Sequence, residues 1–265
     1  MVQRRDVIVG RGRIGSLLYE LGGRSGVLVG RDDPIPADVE GPIYVCTRND
    51  ALASIIDKTP ASRREDLVFL QNGMLEPFLQ SYALQDNTMG LIYFAVAKLG
   101  EPPIDGKTDV NPEGLTAVNG KWANDFAALL RNGQLSCKVL EKAVFRASMY
   151  EKLIWIAAFM LVGTKYGVTV GEVEQSHRQE VTELIGELKR ASEGLGITFQ
   201  DGMVERLCSY TRSVSHFPTA VKEFEWRNGF FWDLSKQAMD GGRADPCPIH
   251  TRLLQQVGAV PQMQR

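Results

Sequence analysis

No two cysteines sit at C-x-x-C spacing: Cys46, Cys137, Cys208 and Cys247 are scattered along 265 residues. That distribution argues against a zinc site or a disulfide framework and for buried, reduced thiols. Histidine is equally sparse, three in the whole chain, and no metal site is expected. Long apolar runs are missing too, the longest, Leu153 to Val162, being too short to span a bilayer. Charge of neither sign predominates. A net charge of −2 gives no electrostatic reason to expect nucleic acid or an anionic membrane as partner. There are no internal repeats or low-complexity tracts. The first strand begins near residue 6, so no leader segment is expected ahead of it. These absences together predict a soluble, cytoplasmic protein.

What the chain does have is glycine in one informative place. Asp6-Val7-Ile8-Val9-Gly10-Arg11-Gly12-Arg13-Ile14-Gly15-Ser16-Leu17-Leu18 is an apolar strand that enters G-x-G-x-x-G and continues into an amphipathic helix. In that context Gly10 turns the chain sharply, Gly12 leaves room for a diphosphate, and Gly15 lets the helix lie close to the sheet. The helix N-terminus supplies free N–H groups and positive dipole to the anion. A plain glycine-rich surface turn is the alternative, but strand before and helix after favour a nicotinamide dinucleotide site. Gly10, Gly12, Arg13, Ile14 and Gly15 are its candidate residues. Arg31 follows the second strand, Val27–Val29, at the position where NAD-specific enzymes carry an acid. An arginine there pairs with a 2′-phosphate and points to NADP (NADPH). Asp32 and Asp33 would repel that phosphate if turned inward, which keeps NAD open.

Short apolar strands alternate with helical patterns through the N-terminal half: Val7–Val9, Val27–Val29, Ile43–Cys46, Leu67–Leu70 and Thr88–Phe94. This predicts a parallel sheet covered by helices. Only about a dozen residues separate the second and third strands, too few for an ordinary crossover helix. From Ala95 to Asn119 glycine and proline gather, and strands or loops closing the first domain are expected. A helix is predicted over Trp122–Arg131. Beyond Val144 the periodicity is helical almost throughout, near 147–166, 170–195, 202–215 and 230–241. The expected fold is α/β: a Rossmann-type dinucleotide-binding domain over 1–132 and an all-helical substrate domain over 133–265, with the active site in the cleft between them.

Several local motifs, in matching order, resemble the ketopantoate reductase (2-dehydropantoate 2-reductase) family, as a divergent member. They are the glycine motif, Phe69-Leu70-Gln71-Asn72-Gly73-Met74, Tyr150-Glu151-Lys152-Leu153, and Glu223-Phe224-Glu225-Trp226-Arg227-Asn228-Gly229. The segment Pro248 to Leu254 resembles the family's last motif. The resemblance implies a 6-phosphogluconate-dehydrogenase-like two-domain architecture and NADP-dependent reduction of a small 2-oxo acid or related carbonyl compound. It makes Lys152 the catalytic lysine and turns Glu223 toward substrate. Thr47 stands after the third strand, where the family has a second lysine as the first-domain neighbour of the catalytic one, and is a candidate cofactor contact; Ser215 lies where the family has serines that contact the substrate carboxylate. Two family asparagines that bind substrate are replaced by Ile156 and Met160, which implies a changed substrate or lost catalysis.

The residues themselves leave alternatives. Lys152 is either a proton donor in a desolvated cleft or a solvated helix lysine beside Glu151. Glu223 either orients Lys152, or bonds a substrate hydroxyl, or is a surface charge in the run Lys222-Glu223-Phe224-Glu225. Asn72 ends an apolar strand, placed to bond the nicotinamide ribose or a substrate carbonyl, although Asn-Gly also makes a plain turn. The Trp226, Phe230, Phe231 and Trp232 cluster reads as core packing or as an aromatic substrate wall. A catalytically degenerate dinucleotide sensor or scaffold, and a dehydrogenase of hydroxy or amino acids, are the competing functions. The outer face of 170–195 serves either solvent or a homodimer contact.

Overall fold

The computed structural model describes residues 3–262, in two compact units: one holds the residues up to 107 with Asn111–Phe145, the other Thr108–Val110 and the residues from 146 onward.

The first unit begins with β1 (Gln3–Arg4), β2 (Val7–Val9), α1 (Arg13–Leu21), β3 (Val27–Val29), β4 (Val39–Glu40), β5 (Ile43–Val45) and α2 (Leu52–Lys58). It continues with β6 (Leu67–Phe69), α3 (Glu76–Ser81), β7 (Thr88–Leu91), β8 (Ala117–Asn119), α4 (Ala123–Asn132) and β9 (Lys138–Val139). Seven strands form one sheet in the order β3-β2-β5-β6-β7-β8-β9, parallel from β3 to β7, with β8 antiparallel to β7. Ile8, Tyr44 and Val68 stand side by side in register and pack with α1 and α4 through Leu18, Phe126 and Leu130. Their neighbours Val9, Val45 and Phe69 face the opposite way and are buried as well. Both faces are therefore covered, which is why these strands read as continuous apolar runs.

No helix connects β3 to β5, as the short spacing implied; β4 alone lies there and pairs with β1. One buried side chain holds this crossover in place. The Arg63 guanidinium donates to Pro36 O (3.3 Å), Gly41 O (2.7 Å) and Val39 O, and pairs with Asp66 at 2.7 Å. The strand expected over Thr88–Phe94 ends at Leu91, and β8 and β9 arise in a region that lacks readable periodicity. Because β9 pairs with β8, the boundary expected after residue 132 moves to residue 145.

The second unit is helical: most of α5 (Lys142–Tyr166), then α6 (Val170–Ser176), α7 (Arg178–Glu193), α8 (Met203–Ser213), α9 (Asn228–Asp240) and α10 (Pro248–Gln256). Residues 151–163 of α5 are buried on every face except at Met160; the apolar run is a central core helix. Trp155 fixes α8 against it, its Nε1 donating to Thr211 Oγ1 at 2.7 Å. The periodic stretch over 170–195 breaks at His177, whose ring stacks on Tyr166 at 3.7 Å between centroids. Residues 108–110 join this unit because Ser209 Oγ donates to Asp109 Oδ1 at 2.6 Å. Among the described residues no helix is long and apolar enough to cross a membrane.

Candidate active site

Strand order reverses at β2, since the chain goes first to β3 on one side and then to β5 on the other. In open α/β sheets the crevice beyond the carboxyl ends of such strands is where ligands bind. Gly10 and Thr47 occupy that crevice. Gly10 has φ +111°, and a Cβ there would lie 2.8 Å from Cys46 O and 3.1 Å from the Thr47 methyl. A Cβ on Gly15 would run into Gly10 O, so only glycine lets α1 start this close to β2. Gly12 differs: a Cβ at Gly12 would meet nothing within 4 Å.

The first intrahelical bond of α1 runs from Ser16 N–H to Gly12 O at 2.9 Å, so the amides of Arg13, Ile14 and Gly15 precede it and need another acceptor. No acidic side chain occupies this first turn. Both loop arginines turn aside from the notch. Arg11 pairs with Asp33 at 2.6 Å, and Arg13 donates to Val96 O and Ala97 O, each at 3.1 Å. Thr47 Oγ1 beside the turn is buried without a hydrogen-bond partner among the described residues. Glycines shaped to the main chain, unspent amides and an orphaned hydroxyl fit a diphosphate and the sugar next to it.

Gln71 ties the neighbouring strand ends together, its Nε2 donating to Val45 O (2.8 Å) and Thr47 O (3.1 Å). Asn72 follows in a turn whose Gly73 has φ +108°, and its carbonyl accepts from Asn49 Nδ2 at 3.0 Å. Arg31 is exposed past the end of β3. Asp33 has folded back onto Gly30 N–H at 2.8 Å, where the Arg11 guanidinium meets its charge.

The second unit places Lys152 inside the protein, 5% exposed, so the solvated-lysine alternative fails. Burial, with the Arg227 charge adding to it, pushes Lys152 down to about 7. Its chain neighbour Glu151 is committed elsewhere, held by both arms of Arg206 at 2.9 and 2.8 Å. Glu223 is not on a helix. It takes the left-handed conformation, φ +47°, ahead of the short turn Phe224–Trp226, and its carboxylate pairs with Arg227. A non-glycine residue in that region carries strain that the surroundings must offset, here through the ion pair. Arg227 is thus a described partner of Glu223.

Arg227 is the residue that sequence reasoning missed. Its guanidinium is mostly buried, its Nε has no hydrogen-bond partner among the described residues, and desolvation lowers its pKa. The Tyr150 and Phe230 rings meet edge-on at 5.8 Å and so join the start of α9 to α5 beside Lys152. Phe231 is core. Ser215 sits on the exposed turn after α8, where its carbonyl accepts from Gly171 N–H at 3.0 Å. His250 is buried and bonded through Nε2 to Asn228 Oδ1 at 2.9 Å; burial pushes it down to about 3, so it stays neutral near pH 7.

The sheet order and the glycine turn define a Rossmann-type unit. No protein-family model and no curated protein matches the sequence. Solved structures do match the fold. A PanE/ApbA-family ketopantoate reductase from Ralstonia eutropha JMP134 aligns over 96% of this chain and 99% of its own, with TM-score 0.67 and 12% identity. The dimeric ketopantoate reductase of Staphylococcus aureus aligns over 96% and 99%, with TM-score 0.65 and 16% identity. D-mandelate dehydrogenase in its ternary complex with NADH and anilino(oxo)acetate aligns over 96% and 97%, with TM-score 0.66 and 14% identity. The fold of this chain is the ketopantoate reductase fold, a Rossmann unit followed by a helical one.

Proposed function

We propose that this protein is a divergent, ketopantoate-reductase-like oxidoreductase that reduces a small 2-oxo acid with NADPH. The observation that carries the reading is the open notch at Gly12, from which both flanking arginines turn away. The amides of Arg13, Ile14 and Gly15 would hold the diphosphate, Thr47 and Asn72 the nicotinamide end, and Arg31 a 2′-phosphate. A bound nicotinamide supplies the hydride that reduces a carbonyl carbon.

Lys152 protonates the oxygen. With its pKa near 7 it holds a proton for part of the population at neutral pH and releases it readily. As an ammonium it also stabilises the negative charge growing on the carbonyl oxygen in a site from which water is largely excluded. After giving up its proton it is the neutral amine that burial already favours. In the reverse direction that amine is the base. Glu223 is a positioning residue that fixes the Arg227 guanidinium.

Two measurements on the purified protein test this. Thermal shifts with NADPH, NADP, NADH and NAD report cofactor binding, because a ligand of the native state raises its melting temperature. Absorbance at 340 nm then follows NADPH consumption across a panel of 2-oxo acids. Stabilisation by NADPH together with turnover of at least one acid is expected. No shift with any dinucleotide overturns the cofactor site. A shift without turnover of any acid overturns the catalytic part and favours a dinucleotide sensor, the reading that Ile156 and Met160 also support.

A further inference from the structure

At the carboxyl end of β3 one carboxylate oxygen is gripped from two directions. Asp33 Oδ2 accepts from Gly30 N–H at 2.8 Å and from Arg11 Nη2 at 2.6 Å. The three groups meet over bare main chain, since a Cβ on Gly30 would lie 3.0 Å from Asp33 Oδ2 and 3.1 Å from Arg11 Cζ. The guanidinium of the glycine turn therefore reaches across to the neighbouring strand end, one residue ahead of Arg31. Lys58 brings a further positive charge there, its Nζ donating to Arg31 O at 3.2 Å. A main-chain N–H and a guanidinium converging on one anionic oxygen is also how proteins hold phosphate oxygens. The two side chains are 60% and 48% exposed, so water screens the pair and it separates easily.

We propose that the Asp33 carboxylate is an internal stand-in for the 2′-phosphate of NADPH, which displaces it and takes over Arg11 and the Gly30 N–H. The assignment rests on the NADPH reading and adds two residues that set the cofactor preference: Arg11 as phosphate contact, Asp33 as competitor. A phosphate monoester carries more charge and more acceptor oxygens than a carboxylate, so the exchange favours it. Arg31, next in the chain, is left to take a second oxygen. Asp33 lies in the exposed stretch 31–34 and swings into solvent once its donors are taken. NADH carries a 2′-hydroxyl at this position. It offers Arg11 no anion, and Asp33 keeps its place.

The test is calorimetric titration of the full chain with NADPH and with NADH. Asp33→Asn keeps an acceptor for Gly30 N–H but removes the charge. It should tighten NADPH by about fivefold and leave NADH within about twofold. Arg11→Gln should weaken NADPH by about tenfold and leave NADH unchanged, and Arg11→Lys should recover part of the loss. In the Arg11→Gln background the gain from Asp33→Asn should vanish, because competition needs the shared guanidinium whereas plain repulsion would persist. Asp32→Asn, the same charge change one residue earlier, should alter neither affinity by more than about twofold. Weaker binding of either dinucleotide to Asp33→Asn overturns the proposal, and so does an equal gain in both Arg11 backgrounds. Unchanged NADPH affinity in Arg11→Gln overturns it as well.

The outcomes separate this exchange from the reductase reading. These shifts without turnover of any 2-oxo acid sink the reductase and keep the exchange. NADPH binding without the shifts sinks the exchange and leaves the cofactor site standing. No binding of either dinucleotide to the parent overturns both.

Discussion

At the glycine turn of the first unit side chains are missing where a ligand needs space, whereas around Lys152 in the second unit charged side chains are packed where solvent would ordinarily be. The turn works with main-chain amides, whose positions follow from β2, α1 and three glycines close in sequence. The Lys152 group works with side-chain charge, whose pKa values follow from burial among α5, α9 and the strained segment between Glu223 and Arg227. A substitution at the turn therefore acts mainly by filling space, and one in the second unit by altering charge. The two can be told apart by measuring stability and activity side by side.

The largest expected effect is at Lys152. Lys152→Met should lower kcat/KM for reduction by roughly 1000-fold, within the usual range for loss of a general acid. It should also stabilise the protein. The Lys152 pKa is about 7 in the folded protein and near ~10.4 in the unfolded chain, so below pH 7 folding carries the whole cost of burying this ammonium. That cost shrinks as pH rises toward the unfolded value and vanishes above it. The melting-temperature advantage of Lys152→Met should be greatest at and below pH 7 and absent near pH 11. Equal melting curves at every pH would show that Lys152 is hydrated, and the contrast between the two regions would disappear.

Next in size is the turn. Gly12→Ala meets open space and has an ordinary φ of −79°, so the apo melting temperature should hold while the NADPH dissociation constant rises about tenfold. Gly15→Ala drives a methyl into Gly10 O and should lower the apo melting temperature itself. If both variants behave alike, Gly12 has no ligand to accommodate. The smallest effect belongs to Arg31, which is exposed: Arg31→Ala should shift the NADPH-to-NADH preference by roughly fivefold toward NADH, the scale of a solvated ion pair. An unchanged preference would remove Arg31 as the 2′-phosphate contact.

The difference between the two regions also governs what the sequence disclosed. The glycine turn was legible because its parts are contiguous and each glycine answers to main-chain geometry. The five parallel strands were legible because burial on both faces makes them uniformly apolar. β8 was not, for Ala-Val-Asn is short and lies beyond a stretch rich in glycine and proline. The 170–195 periodicity hid a break, since apolar spacing persists across His177 while the backbone does not. Lys152 could be placed only by resemblance to a family, because a lysine beside a glutamate ordinarily points to water. Arg227 stayed hidden in a run of charged residues. Its ion-pair partner Glu223 takes a positive φ that its residue type does not announce. A charged residue directly before a helix start and flanked by Trp226 and Phe230 is the signal that singles it out.

The guanidinium of Arg63 stands where a crossover helix is absent, gathering three carbonyls of the segment between Val29 and Ile43. A helix in that position would impose a fixed length and an apolar face on any change to the connection. A segment held by one side chain has neither obligation, so residues around 31–38 are free to vary in length and composition over evolutionary time as long as those carbonyls still converge. The border of the sheet nearest Arg31 is thus the part of this protein most open to re-engineering.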